Sequence, residues 1–305
     1  LDAVMKPGAI LATNTSYLDV DEIAAATRRP GDVLGLHFFS PANIMKLMEV
    51  VQGAETRDDV LATGFALARK LRKVSVLSGV CDGFIGNRIL MTYRRHADFL
   101  LEDGCLPHEV DAAMRAFGLP MGPYEAQDLG GLDIAWANRK RQAATHDPQD
   151  RYVAIADRLC EAGRFGQKTG AGWYRYESGN RQPLKDPEVE RIILAEAEAR
   201  KISRRSFSEV EIQERVLLPM INEAARILEE GIAQRPLDVD MVEIHGYGFP
   251  RWRGGLMHYA DRLGLPLVVS GLERLAEGVD PHCQPAGLLR KLLKENQGLS
   301  SLNPG

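Results

Sequence analysis

The sequence predicts an α/β layer followed by an all-α region in which one helical unit occurs twice. Three observations carry this reading. Short β-type runs alternate with helical ones up to about residue 80, long amphipathic helices replace them afterwards, and those helices match one another. With 305 residues the chain has room for more than one domain, each with its own core.

From Gly8 onward the runs GAILAT, VLGLHFF, KLMEVV and VSVLSG have strand character, while DVDEIAAAT and RDDVLATGFALARKLR have helical periodicity. That order predicts a mostly parallel sheet with helices packed on it. Upstream, LDAVMK reads as the tail of a helix stopped by Pro7-Gly8, without an initiating Met, so the chain is expected to begin inside a domain. Beyond residue 80, NRILMTYRRHADFLLEDG at 87–104 sets Ile89, Leu90, Tyr93, Ala97, Leu100 and Leu101 on one helical face, and Gly104 ends the helix.

That unit recurs. ERVLLPMINEAARILEEG at 214–231 follows 87–104 at a constant offset of 127, pairing Ile89 with Val216, Tyr93 with Met220, Ala97 with Ala224, Leu101 with Leu228 and Gly104 with Gly231. HEVDAAMRAFGLPMGP is answered by LDVDMVEIHGYGFPRWRGG, with Gly118-Leu119-Pro120 facing Gly248-Phe249-Pro250. A charged stretch at about 178–208, with a helix of its own in DPEVERIILAEAEARK, joins the copies. The expected division is therefore an α/β part at 1–80, a first helical repeat at 81–180, and a linker with the second repeat at 181–305.

Composition removes several function classes. A net charge of −4 leaves no basic footprint for nucleic acid, and the apolar runs are too short to cross a bilayer. The four cysteines, Cys81, Cys105, Cys160 and Cys283, are scattered without a CxxC pair, which suggests neither a disulfide framework nor a zinc site. Metal chemistry is not expected. A reducing cytoplasm fits this usage, and the terminal Asn303-Pro304-Gly305 is no peroxisomal address of the SKL type.

The residues with chemical potential lie at element ends. His37 stands near the end of the strand VLGLHFF, and Glu49 sits inside KLMEVV, where a carboxylate is inexpensive only with a partner. If the two strands are neighbours, Glu49 accepts from one imidazole nitrogen and leaves the other as a general base. The plainer alternative is a structural histidine and an edge-strand glutamate. Asn14-Thr15-Ser16 follows the first strand, where loops of α/β sheets build ligand sites. Asn87 opens the first long helix, and its counterpart in the second repeat is Glu214, so the scaffold was copied without the amide. Ser16 and Asn87 also suit simple capping. The loop GQKTGAGWY at 166–174 is not a P-loop and reads as a tight connection, and Trp252, Arg251 and Arg253 receive no catalytic role.

Together these motifs resemble the L-3-hydroxyacyl-CoA dehydrogenase family, in particular the dehydrogenase part of the multifunctional fatty-acid oxidation enzymes of the peroxisomal-type bifunctional branch and its bacterial relatives. The matching stretches are NTS at 14–16, HFFSPANIMKLMEVV from His37, DGFIGNRIL around Asn87, GLPMGP from Gly118, GQKTGAGWY from Gly166 and GYGFPRWRGG from Gly246, which together span nearly the whole chain. The resemblance implies the C-terminal half of a Rossmann-type NAD-binding domain, followed by two repeated helical dehydrogenase C-terminal domains. It implies NAD-dependent oxidation of (S)-3-hydroxyacyl-CoA to 3-oxoacyl-CoA in β-oxidation. His37 would be the base, Glu49 its orienting partner, and Ser16 and Asn87 the holders of the 3-oxygen. Asn14 and Ser40 would lie at the cofactor, with Ser40 standing where the family often has Asn.

No GxGxxG is present, and in the family that loop belongs to the half-domain expected before Leu1. The chain alone is therefore expected to bind NAD poorly and to turn over slowly, and an enoyl-CoA hydratase domain is expected upstream in the parent protein. The internal repeat implies a monomer, with the two helical copies packed as a pseudo-dimer. A bacterial cytoplasmic setting is favoured over a peroxisomal one. The alternatives are a non-catalytic acyl-CoA-binding module and a dehydrogenase of small hydroxy acids or sugar acids. Acyl transfer ranks last, since there is no GxSxG.

Overall fold

The computed structural model describes residues 1–144 and 147–304. Its α/β layer is a four-stranded sheet of β1 (Leu11–Thr13), β2 (Val33–Phe38), β3 (Leu47–Val51) and β4 (Val74–Ser78), in that spatial order. The β1/β2 and β3/β4 pairs are parallel, as expected, but the central β2/β3 pair is antiparallel. The physical reason is chain length: residues 39–46 are too few for the crossover that a parallel return requires. GAILAT also yields less strand than its residues promise, since only Leu11–Thr13 pair with a neighbour.

Strand alternation sorts the side chains onto two faces. Leu34 and Leu36 of β2, with Met48 and Val50 of β3, form one apolar cluster with Val60 and Ala68 of α2 (Asp58–Lys70). Val51 faces the other way, against Val20 and Phe84. Val20 opens α1 (Val20–Ala25), whose N-terminus is capped by the Asp19 carboxylate accepting from the N–H groups of Asp21 and Glu22. Helix α2 carries Asp58 and Asp59 in its first turn and Arg69 and Lys70 in its last, which suits the helix dipole at both ends.

The helical part runs through α3 (Gly86–Asp103), α4 (Pro107–Phe117), α5 (Pro123–Gly130), α6 (Leu132–Gln142), α7 (Ile155–Glu161) and α8 (Pro187–Ala199). It continues with α9 (Glu209–Glu229), α10 (Pro236–Gly246), α11 (Leu256–Leu263), α12 (Leu265–Gly278) and α13 (Gly287–Lys294). The chain forms two compact units: one comprises Leu1–Thr92, Met220–Arg274 and Cys283–Gly305, the other Tyr93–Pro219 and Leu275–His282.

The two repeats share local devices that the sequence match does not display. In the first, Asp111 of α4 accepts from the N–H groups of Tyr124 and Glu125, and Gly122 lies so close that a Cβ there would stand 2.2 Å from Asp111 Cα. In the second, Asp240 of α10 accepts from Met257 and His258, and a Cβ on Gly255 would stand 2.4 Å from Asp240 Cβ. A buried aspartate thus starts the next helix in both copies. The closing loops correspond as well: Asp128 accepts from Trp173 and Tyr174 N–H, and Asp261 accepts from Leu299 and Ser300 N–H. This gives GQKTGAGWY the structural role expected of it, with Trp173 fully buried.

The offset of 127 also maps one ion pair onto another. Arg88 pairs with Glu223 and Glu230, and Arg215 pairs with Asp103, so that Arg88 corresponds to Arg215 and Asp103 to Glu230. Each pair takes one member from each repeat and lies within a single compact unit. Hydrogen bonding to Glu230 holds the Arg88 guanidinium well above its ordinary range, against a smaller opposing effect of burial.

Candidate active site

The antiparallel β2/β3 register places His37 directly opposite Glu49. Their separation of twelve residues in sequence is made up mainly of the short connection at 39–46 between the two strands. Both side chains are buried, His37 at 3 % exposure and Glu49 at 0 %. His37 Nδ1 and Glu49 Oε2 are 2.7 Å apart, a charge-assisted hydrogen bond in which the carboxylate accepts and Nδ1 therefore carries the proton. The second carboxylate oxygen, Oε1, accepts from the Gly86 N–H at 2.9 Å, at the start of the 18-residue helix α3. A backbone donor and the positive end of a helix thus help to offset the buried charge.

The other imidazole nitrogen, Nε2, lies 3.2 Å from Ser16 Oγ. The loop that presents Ser16 is shaped by its own hydroxyls. Thr15 N–H donates to Thr13 Oγ1, and Thr15 Oγ1 accepts from the N–H groups of Tyr17 and Leu18. The His37 ring is wedged between two aromatics, Phe39 with centroids 4.7 Å away and Phe84 at 5.5 Å. The imidazole thus meets Glu49 and Ser16 at its two nitrogens and has aromatic rings beside it.

Asn87 follows Gly86 in the first turn of α3, and its Oδ1 accepts from the Tyr247 hydroxyl at 2.9 Å. Asn14 Oδ1 accepts from the Phe38 N–H at 2.9 Å, tying the end of β1 to the end of β2. Its amide oxygen is therefore engaged within the protein. Ser40 is exposed just beyond β2. Of the residues singled out from sequence, Ser16, His37 and Glu49 form one hydrogen-bonded line, and Asn87 adjoins the glycine that anchors its far end.

Sequence reading missed three participants. Gly86 contributes only a backbone N–H, for which no residue letter is a signal, although GFIGN at a helix start was a cue. Tyr247 lies in the GYGFP motif but 160 residues from its partner Asn87. Glu243 occupies a position that reads as a polar helix residue, yet it is 2 % exposed and its Oε1 has no hydrogen-bond partner among the described residues. Burial first, then the Asp240 and Glu49 carboxylates, push its pKa up to about 8 from an ordinary 4.5.

A measurable consequence follows for Glu243. Between about pH 4.5 and 8 the folded protein holds a proton here that the unfolded chain has lost, so stability falls as pH rises through that window. Glu243→Gln, neutral at every pH, is expected to match the parent near pH 4 and to exceed it by a few kcal/mol at most above about pH 8. Denaturant unfolding at both pH values reads this directly. A gain of equal size at both would contradict the buried-acid account.

Known protein families, curated proteins and solved structures show what this chain is similar to. A family model described as the NAD binding domain of 3-hydroxyacyl-CoA dehydrogenase matches residues 1–81, and one for the C-terminal domain matches twice, at 83–176 and at 212–300. The chain belongs to the 3-hydroxyacyl-CoA dehydrogenase family. The double match also establishes the architecture of a Rossmann-type part followed by two repeated helical C-terminal domains. The chain is 46 % identical to the peroxisomal bifunctional enzyme of Cavia porcellus over 99 % of its length, and 45 % identical to that of Homo sapiens over 98 %. It spans about 44 % of the length of either relative.

Among solved family members, the 3-hydroxybutyryl-CoA dehydrogenase of Escherichia coli K12 superposes with a TM-score of 0.77 at 25 % identity, covering 94 % of this chain and 76 % of that one. The dehydrogenase part of multifunctional enzyme 1 from C. elegans gives 0.68 at 30 %, covering 95 % and 66 %. One expectation is corrected by these relatives. The bacterial cytoplasmic setting does not stand, because the strongly similar curated family members are peroxisomal enzymes. It leaned on scattered cysteines, which suit any reducing compartment, and on the tripeptide Asn303-Pro304-Gly305.

Proposed function

We propose that this chain carries the catalytic residues for NAD-dependent oxidation of (S)-3-hydroxyacyl-CoA to 3-oxoacyl-CoA, with His37 as the base. The observation that carries the proposal is the line Ser16 Oγ, His37 Nε2, His37 Nδ1, Glu49 Oε2, with spacings of 3.2 and 2.7 Å. A proton on Nδ1 leaves a lone pair on Nε2, and Ser16 Oγ occupies the place where a hydroxyl meets it. The substrate's 3-hydroxyl gives its proton to Nε2. Glu49, anchored by Gly86, stabilises the imidazolium that results. Ser16 and the Asn87 amide hold the 3-oxygen so that the C3 hydrogen is fixed for transfer.

Bound NAD supplies the hydride acceptor. The residues present fit one part of its site: the loop carrying Asn14 and Ser16 follows β1 at the carboxyl end of the parallel β1/β2 pair, where ligands of α/β sheets bind, and Ser40 is exposed beyond β2. These 305 residues contain no glycine-rich pyrophosphate loop. We therefore propose weak NAD binding and slow turnover for the chain by itself, with binding restored by an upstream extension of about 110 residues. A fused enoyl-CoA hydratase domain in the parent protein is part of the same proposal, as is the partition into parts at 1–80, 81–180 and 181–305. The reciprocal pairs of Arg88 with Glu230 and Arg215 with Asp103 support a monomer in which the repeats replace a dimer.

The experiment is NAD reduction by the full-length natural protein that contains these residues, offered the two enantiomers of 3-hydroxybutyryl-CoA. Turnover of the S form alone is expected, and equal use of both forms contradicts the proposal. A second reading, acyl transfer with Ser16 as nucleophile, is favoured by the serine–histidine–carboxylate order itself. Release of free CoA by the wild type, lost in Ser16→Ala, is the outcome that reading requires.

A further inference from the structure

A side-chain amide has a donor end and an acceptor end of almost the same shape, and which end faces a ligand is decided by what the other end meets. For Asn87 that partner is Tyr247, whose hydroxyl donates to Oδ1 at 2.9 Å. The tyrosine is held in place from several sides. Gly86 lies against its ring, where a Cβ would come within 2.7 Å of Tyr247 Cε2 and 2.9 Å of its hydroxyl oxygen. Phe39 meets it edge-on at 5.5 Å, and Phe39 in turn packs on His37. The last turn of α10 is pressed onto the sheet, since a Cβ on Gly246 would stand 2.7 Å from Leu47 Cδ2. One glycine thus serves two neighbours: the Gly86 N–H holds Glu49, and the missing side chain admits Tyr247.

The duplication sharpens the assignment. The counterpart of Asn87 in the second repeat is Glu214, and the counterpart of Tyr247 in the first is Phe117, a buried ring without a hydroxyl. Amide and hydroxyl occur together across the repeats at the site that also holds His37. At the symmetry-related positions both are absent.

We propose that Tyr247, supplied by the second helical repeat, is a positioning residue for the dehydrogenase reaction: it occupies Asn87 Oδ1 and so turns the Asn87 amino group toward the substrate's 3-oxygen. This rests on the proposed function. The second repeat is then part of the working site as well as a packing partner for the first.

The test is Tyr247→Phe in the full-length natural protein, which removes one oxygen and keeps the ring. Expected are a fall in kcat of about tenfold with (S)-3-hydroxybutyryl-CoA, an unchanged unfolding midpoint, and no further loss when the change is added to Asn87→Ala. Calorimetry gives a readout independent of turnover: acetoacetyl-CoA binds several-fold more weakly to Tyr247→Phe, while butyryl-CoA, which has no 3-oxygen, binds as before. Full activity in Tyr247→Phe with a slow Asn87→Ala overturns the inference and leaves the proposed function intact. Full activity in both removes Asn87 from the 3-oxygen and overturns both assignments. Equal weakening toward the two acyl-CoA ligands reduces Tyr247 to a packing role and overturns the inference even where no hydride transfer is observed.

Discussion

His37→Gln is expected to lower the rate of 3-hydroxyacyl-CoA oxidation by about a thousandfold, roughly 4 kcal/mol of transition-state stabilisation, with little change in binding of the acyl-CoA. Glutamine is similar in volume and can still donate to Glu49 Oε2, so the hydrogen bond that now stands at 2.7 Å keeps a partner. What it cannot do is accept a proton from the substrate alcohol at the Nε2 position. The expected signature is therefore a loss in kcat with KM held within a few-fold, because the interaction removed belongs to the transition state. Rapid-mixing kinetics of NADH formation in the full-length natural protein measures it. A variant within tenfold of wild type would show that another group takes the proton.

The second large effect is expected at Glu49, and it separates orientation from charge. Glu49 is fully buried and both its oxygens accept hydrogen bonds, one from His37 and one from the Gly86 N–H. In Glu49→Gln the Gly86 donor still needs an oxygen, so the amide turns its oxygen there and its NH2 toward His37 Nδ1. That nitrogen must then accept, the ring proton moves to Nε2, and the base is blocked. A loss of about a thousand- to ten-thousandfold is expected, the size found where a histidine is held in the wrong tautomer. Stability is expected to change by no more than about 1 kcal/mol, since a buried charge gives way to a neutral amide with its bonds made. If kcat falls less than tenfold while stability collapses, Glu49 is a structural residue and the dyad has no catalytic meaning.

How far the sequence spoke for this site depends on the kind of signal each residue carries. The His37–Glu49 pairing was legible because a carboxylate inside KLMEVV demands a partner and His37 lies one strand away. The sense of the β2/β3 pairing was less so: runs of Val, Leu and Met do not distinguish parallel from antiparallel neighbours, and the deciding quantity was the short connection at 39–46. The duplication was readable from the offset between 87–104 and 214–231, whereas the Asp111 and Asp240 caps that make the copies fold alike depend on atoms far apart in sequence. Ser16 and Asn87 were ambiguous between caps and ligand contacts. The structure sets Ser16 Oγ 3.2 Å from His37 Nε2, which the sequence did not display. Asn14 accepts from Phe38 through its amide oxygen, which ties the loop to the end of β2. Gly86 acts through a backbone N–H, for which GFIGN at a helix start was the one cue, and Tyr247 acts through a contact across the two repeats that has no local sequence signature.

The measurement that tests the central claim most directly is the fate of the C3 hydrogen. (S)-3-hydroxybutyryl-CoA labelled with deuterium at C3 is incubated with NAD and the full-length natural protein, and both products are analysed by mass spectrometry. The account predicts one deuterium in each NADH formed, 3-oxobutyryl-CoA without label, and loss of both products in His37→Gln. Label retained in the acyl group, with free CoA released, would contradict it and assign the Ser16, His37 and Glu49 line to acyl transfer.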